Sequence, residues 1–113
     1  MKVTLVISDP PSVNTARQPS RSGRRLISTA TYRKWLAAEA KLLAYTCRTS
    51  FTGLVRVEIA SPRRRRIDVD NISKAAMDLL QKAGVYANDR QVDDLRIYRA
   101  DIDETTVTVE AIS

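Results

Sequence analysis

Between Ile72 and Ala83 the apolar residues Ile72, Ala75, Ala76, Leu79, Leu80 and Ala83 recur three and four positions apart, and Gly84 follows at once. That spacing draws one apolar stripe along an α-helix, and a glycine in the left-handed region is a common way for such a helix to stop. A stripe of this kind must be buried against something, and the chain offers β-runs on both sides. Val55, Val57 and Ile59 alternate with Arg56 and Glu58 and end at Pro62, which reads as a strand. Leu95–Arg99 and Thr105–Ala111 are β-rich, and Asp101-Ile102-Asp103-Glu104 between them suggests a hairpin.

The first half repeats the theme. Val3, Leu5 and Ile7 alternate with Lys2 and Thr4 before Pro10-Pro11, predicting a first strand. Tyr32, Leu36, Ala40, Leu43 and Cys47 form one stripe, with Trp35 and Ala44 beside it, predicting a helix from a cap at Ser28 or Thr29 to about Cys47. Arg33, Lys34, Lys41 and Arg48 lie opposite, as on a solvated face. Residues 9–27 are rich in Pro, Ser, Asn and Gly and carry Arg17, Arg21, Arg24 and Arg25, so a long basic loop is expected. The order β-α-β-α-β-β predicts an α+β fold, a small mixed sheet of about four strands with two helices on one face. With 113 residues, one domain over 1–113 is expected.

Composition then excludes whole classes of chemistry. There is no histidine, so catalytic triads, His general bases and His-ligated metals are ruled out within one chain. Cys47 is the only cysteine, which excludes an intrachain disulfide and a multi-cysteine metal site; on the apolar stripe it reads as a core residue. No apolar run approaches the ~20 residues of a membrane span, and the amino terminus lacks a signal-like stretch, so a cytoplasmic location is expected and no membrane partner. Nineteen basic residues stand against thirteen acidic, net +6, and fourteen of the nineteen are Arg. Such an excess suits phosphate, and nucleic acid is the polyanion it favours.

The sharpest feature is Arg63-Arg64-Arg65-Arg66 followed by Ile67-Asp68-Val69-Asp70-Asn71 and the second helix. In an extended segment Asp68 and Asp70 point to the same side and can converge on one cation; magnesium takes hard oxygen donors and keeps several waters. The same residues also make sense without a metal, with Asp70 capping the helix and Asp68 offsetting the arginines. Lys74 lies one turn on and can stabilise charge developing on a phosphate, or simply pair with Asp78. Asn88-Asp89 and Asp93-Asp94 can supply a third ligand or merely serve turns. Because carboxylates repel phosphates unless a metal lies between them, acids within a basic surface favour metal-assisted phosphodiester hydrolysis over simple binding. The rival is a non-enzymatic, arginine-rich binder of structured DNA or RNA. A restriction-type nuclease ranks third, because Glu58-Ile59-Ala60 lacks the lysine of a Glu-x-Lys signature.

At these residues the sequence resembles the RusA-like Holliday junction resolvases of phages and bacterial prophages. The likeness runs through Pro10-Pro11-Ser12-Val13-Asn14, Tyr32-Arg33-Lys34-Trp35, Arg65-Arg66-Ile67-Asp68-Val69-Asp70-Asn71-Ile72-Ser73-Lys74-Ala75 and Gly84-Val85-Tyr86-Ala87-Asn88-Asp89-Arg90-Gln91-Val92, in that order. The resemblance implies a homodimeric, Mg2+-dependent endonuclease, with Mn2+ as a possible substitute, that nicks four-way DNA junctions on two opposing strands. It places the metal-binding acids at Asp68, Asp70 and Asp89 and the catalytic lysine at Lys74. Asn88 stands where some members carry another acid. Arg63, Arg64, Arg65 and Arg66, with the loop residues Arg17, Arg24 and Arg25, are the expected DNA-binding set. No protein partner other than a second copy is indicated.

Overall fold

The computed structural model describes residues 1–11, 17–19, 26–28 and 30–112. Its elements are β1 (Lys2–Ile7), β2 (Arg17–Pro19), β3 (Leu26–Ser28), α1 (Ala30–Thr46), β4 (Val55–Pro62), α2 (Val69–Lys82), β5 (Val92–Ala100) and β6 (Thr105–Ala111). Short 3-10 turns at Arg63–Arg65 and Asp89–Gln91 bracket α2. No helix among the described residues is long and apolar enough to cross a membrane.

Four strands form one mixed sheet in the order β1-β6-β4-β5, antiparallel except for the parallel pair β4 and β5. Parallel neighbours need a crossover, and α2 provides it, so β4-α2-β5 is a βαβ unit. The expected β5–β6 hairpin is not formed. β4 stands between the two strands, and Asp101–Glu104 connects one flank of β4 to the other. The expected basic loop over residues 9–27 also gains a feature, because β2 and β3 pair antiparallel in a small separate ribbon.

Period two on the strands and 3.6 on the helices meet in one core. Leu5, Ile7, Val55, Val57, Ile59, Val107 and Val109 face Ala40, Leu43 and Cys47 of the α1 stripe and Ile72, Ala76, Leu79 and Leu80 of α2. The other face of the sheet is polar, with Arg56 bonded to Asp94 at 2.9 Å and Tyr98 to Glu58 at 2.9 Å. Both helices therefore lie on one face. Gly84, at φ +80°, ends α2: its N–H reaches the Gln81 carbonyl at 3.1 Å and Val85 N–H the Leu80 carbonyl at 2.9 Å, the paired bonds of a Schellman motif.

Candidate active site

The βαβ unit places a loop between the end of β4 and the start of α2, the end of parallel strands where α/β sheets hold their ligands. Arg63–Arg65 make a 3-10 turn there, and Arg66 takes a left-handed φ of 50°. Asp68 is the N-cap of α2, its Oδ1 accepting Asp70 N–H at 2.9 Å. The two carboxylates are thus not spaced along an extended segment. The helix begins at Val69, and the cap is Asp68 where the sequence suggested Asp70. Asp70 sits exposed in the first turn, where the helix dipole favours negative charge. Beside it Asn71 is buried and donates its Nδ2 to the Pro11 carbonyl at 2.9 Å, tying the Pro10-Pro11 segment to the site.

The arginine run is anchored by three acids from two loops: Arg63 to Asp101 at 3.1 Å and Arg64 to Asp103 at 3.1 Å, both in the β5–β6 connection, and Arg65 to Asp9 after β1 at 2.9 Å. Exposed pairs of this kind contribute little stability and leave the forks available to phosphate. Arg17 lies in β2, whereas Arg24 and Arg25 lie outside the described residues.

Lys74 pairs with Asp78 across one helical turn, Nζ to Oδ1 3.4 Å. The other Asp78 oxygen accepts the Tyr32 hydroxyl at 2.6 Å, and Tyr32 is buried at the start of α1. One carboxylate therefore bridges a core phenol and the exposed ammonium.

Asp89 stands at the far end of α2. Its N–H bonds the Gln81 side chain at 3.2 Å, and Gln81 lies about 16 Å beyond Asp70 at ~1.5 Å of rise per residue. The turn that carries Asp89 is built by its neighbours. Asn88 and Gln91 form a capping box, and Gln91 Nε2 donates to the Phe51 and Gly53 carbonyls, both at 2.9 Å. Asn88 therefore caps a turn, and Asp94 belongs to the ion pairs on the polar face of the sheet. Burial, with Asp89 and then Asp78 nearby, pushes the Tyr86 hydroxyl well above its ordinary pKa of 10.0, so the phenol stays protonated and donates to the Met77 carbonyl at 3.2 Å.

Residues 9–111 match the sequence profile of the family described as Endodeoxyribonuclease RusA. The chain belongs to the RusA family. It is 36% identical over 98 residues to the crossover junction endodeoxyribonuclease RusA of Escherichia coli K12, covering 85% of this chain and 81% of that one. Over 45 residues it is 49% identical to the protein of that name in Shigella sonnei and 47% to that of Enterobacteria phage 82; each match covers 40% of this chain and 38% of the relative.

A RusA-family nuclease implies a divalent metal, and the donor set at the head of α2 fits a hard cation. Asp68 keeps Oδ2 beside the oxygen used for the cap, Asp70 is exposed one residue into the helix, and waters and phosphate oxygens normally complete a magnesium shell. Among the described residues, no three Asp, Glu or Cys side chains gather closely enough to hold an ion. One chain thus brings Asp68 and Asp70 together, with Lys74 one turn away, and leaves Asp89 apart. Sequence reasoning assigned no site role to Gln91 or Asn71 and placed Tyr32 only on the apolar stripe of the first helix, although all three lie inside the family-like motifs. It had no signal for Arg99, whose guanidinium donates to the Ile67 carbonyl at 3.0 Å.

Proposed function

We propose that this chain is a Holliday junction resolvase, a homodimeric Mg2+-dependent endodeoxyribonuclease that nicks four-way DNA on two opposing strands in recombination and repair. The observation that carries this is the pair Asp68 and Asp70 at the first turn of α2, directly after an arginine turn, in a chain of the RusA family. Acids set into a phosphate-binding surface serve hydrolysis when a cation lies between them and the DNA. Asp68 and Asp70 would hold that cation, with Mg2+ the first choice and Mn2+ a substitute. A divalent cation held by these two residues would supply Lewis-acid polarisation of the scissile phosphate and acidify the attacking water.

The remaining roles fall to this chain's own groups. Lys74 presents its ammonium toward the phosphate and offsets charge that accumulates on the oxygens, while Asp78 and Tyr32 fix where that ammonium stands. Arg63 to Arg66, with Arg17, Arg24 and Arg25, bind backbone phosphates and set the register of the DNA. Dimerisation follows from symmetry, since a junction with a two-fold axis and two related cuts calls for two related sites. The separation of Asp89 from Asp70 gives the dimer a second purpose: Asp89 joins the ligand set when a partner protomer brings it to the head of α2.

The test is cleavage of a labelled four-way junction beside a matched linear duplex, with Mg2+ or EDTA, at protein concentrations whose oligomeric state is measured by sedimentation. Paired nicks in the junction alone, abolished by EDTA and restricted to the dimer, are expected. Tight junction binding with no cleavage under Mg2+ or Mn2+ would instead mark an arginine-rich binding protein.

A further inference from the structure

The end of the sheet next to the Asp68 loop holds a concavity of about 480 Å3 whose wall is made by Arg63, Arg66 and Arg99. Two of the three come from the arginine run; Arg99 comes from the edge strand β5, where it pairs in register with Ser61 near the end of β4. Asp101, paired with Arg63, offsets one of these three guanidiniums, and the volume they share keeps a net positive charge that favours an anion.

Arg99 and Arg63 are positioned by contacts that leave donors available. Arg99 is held by a neutral acceptor, the Ile67 carbonyl at 3.0 Å, which uses one of its five N–H groups and none of its charge. Arg63 donates to the Arg99 carbonyl at 3.2 Å and through Nε to Asp101 at 3.1 Å. Arg66 is the one non-glycine residue with positive φ among the described residues, at 50°. A side chain there costs of order 1 kcal/mol or more relative to glycine, a strain typical of ligand clamps.

We propose that this concavity is a phosphodiester subsite for the nucleic-acid backbone beside the cut, with Arg99 as its anchor outside the arginine run. The proposal rests on the nuclease reading above and adds a residue and a place. Guanidinium forks match the non-bridging oxygens of a phosphate in bidentate geometry. The Arg99 bond falls on the peptide preceding Asp68, so the subsite and the carboxylates are linked through Ile67. Arg66 and Asp68 are at most about 7 Å of chain apart. Since each strand advances ~3.4 Å per nucleotide, a phosphate in the concavity lies within a few nucleotides of one at Asp70.

The test measures junction binding by anisotropy over a range of salt, using the intact protein and the variants Arg99→Leu and Arg66→Gly. Arg66→Gly removes a guanidinium while relieving the positive φ, so lost binding cannot be attributed to unfolding. Each variant is expected to weaken binding about tenfold at low salt and to lower the slope of log K against log salt by about 1. Arg66→Gly is also expected to unfold at an equal or higher urea concentration. Unchanged slopes in Arg66→Gly overturn the proposal, as does the absence of any junction binding by the parent chain. Inorganic phosphate, at ionic strength matched with chloride, separates the two sources of the anion: competition no better than chloride supports the backbone, and tenfold better competition assigns the concavity to free phosphate and overturns it. Slope changes in a protein that never cleaves would uphold the subsite while the nuclease reading falls.

Discussion

Gln91 is the side chain on which the Asp89 turn depends, and replacing it tests how that turn is held. Its Oε1 accepts Ala87 N–H at 2.9 Å and Asn88 N–H at 3.2 Å, and its Nε2 donates to the Phe51 and Gly53 carbonyls at 2.9 Å each. Gln91→Ala removes four hydrogen bonds at once. A net ~0.5–1 kcal/mol for each, at the lower part of the usual range because the site is partly exposed and water re-enters, gives about 2–4 kcal/mol. At ~2.1 cal/mol/K of unfolding entropy per residue, a chain of 113 residues loses about 4 °C per kcal/mol, so the melting temperature falls by about 8–16 °C. Gln91→Glu keeps the oxygen that accepts both N–H groups but sets a carboxylate against two carbonyls, and its cost is expected to equal or exceed that of the alanine. Urea and thermal unfolding followed by circular dichroism give the stability, and junction cleavage gives the effect on Asp89, which is expected to fall further than junction binding. A loss below about 1 kcal/mol for Gln91→Ala would refute the reasoning, because water would then be replacing the whole network.

Further outcomes follow from the same contacts. Leu79→Ala, in the sealed core, is expected to cost about 2–5 kcal/mol in urea unfolding, whereas Leu42→Ala, 61% exposed, stays within about 0.5 kcal/mol. Asp78→Asn frees the Lys74 ammonium and weakens its tie to Tyr32, so the cleavage rate is expected to fall while junction affinity holds; equal losses in both would deny Asp78 a positioning role. Tyr86 has a raised folded pKa, so its stabilising contribution is complete below the ordinary phenol value of 10.0 and declines as pH rises through the folded value. Between about pH 9 and about pH 11 the wild type is expected to lose more stability than Tyr86→Phe, and equal losses would contradict the assignment.

What the sequence revealed, and what it hid, follows from the range of each interaction. The stripe from Ile72 to Ala83 and the stop at Gly84 are local, and α2 with its left-handed cap appears where they point. The alternation at Val3–Ile7 and Val55–Ile59 likewise yields β1 and β4. The hairpin between β5 and β6 fails because closeness along the chain does not decide closeness in a sheet. A buried central strand needs two neighbours, and β4 takes both. The ribbon of β2 and β3 was hidden by short strands amid Pro, Ser and Arg.

The candidate site divides in the same way. Asp68, Asp70 and Lys74 lie within two turns of one element, so their proximity was legible, although the cap at Asp68 was not. The distance from Asp70 to the Asp89 turn depends on the twelve helical residues Asn71–Lys82 lying between them, which a motif written as a line of letters conceals. Asp78 with Tyr32, and Arg99 with Ile67, meet across elements far apart in the chain, and no spacing rule exposes such pairs.

The most direct test of the carboxylate-held metal is Asp70→Asn, which keeps the shape and removes the charge, assayed for junction cleavage and junction binding in the same samples over a range of Mg2+. The account predicts binding within a few-fold of wild type and cleavage lost at every Mg2+ concentration. Cleavage at the wild-type rate by Asp70→Asn, with the same Mg2+ dependence, would contradict it and return Asp70 to the role of a charge at the head of a helix.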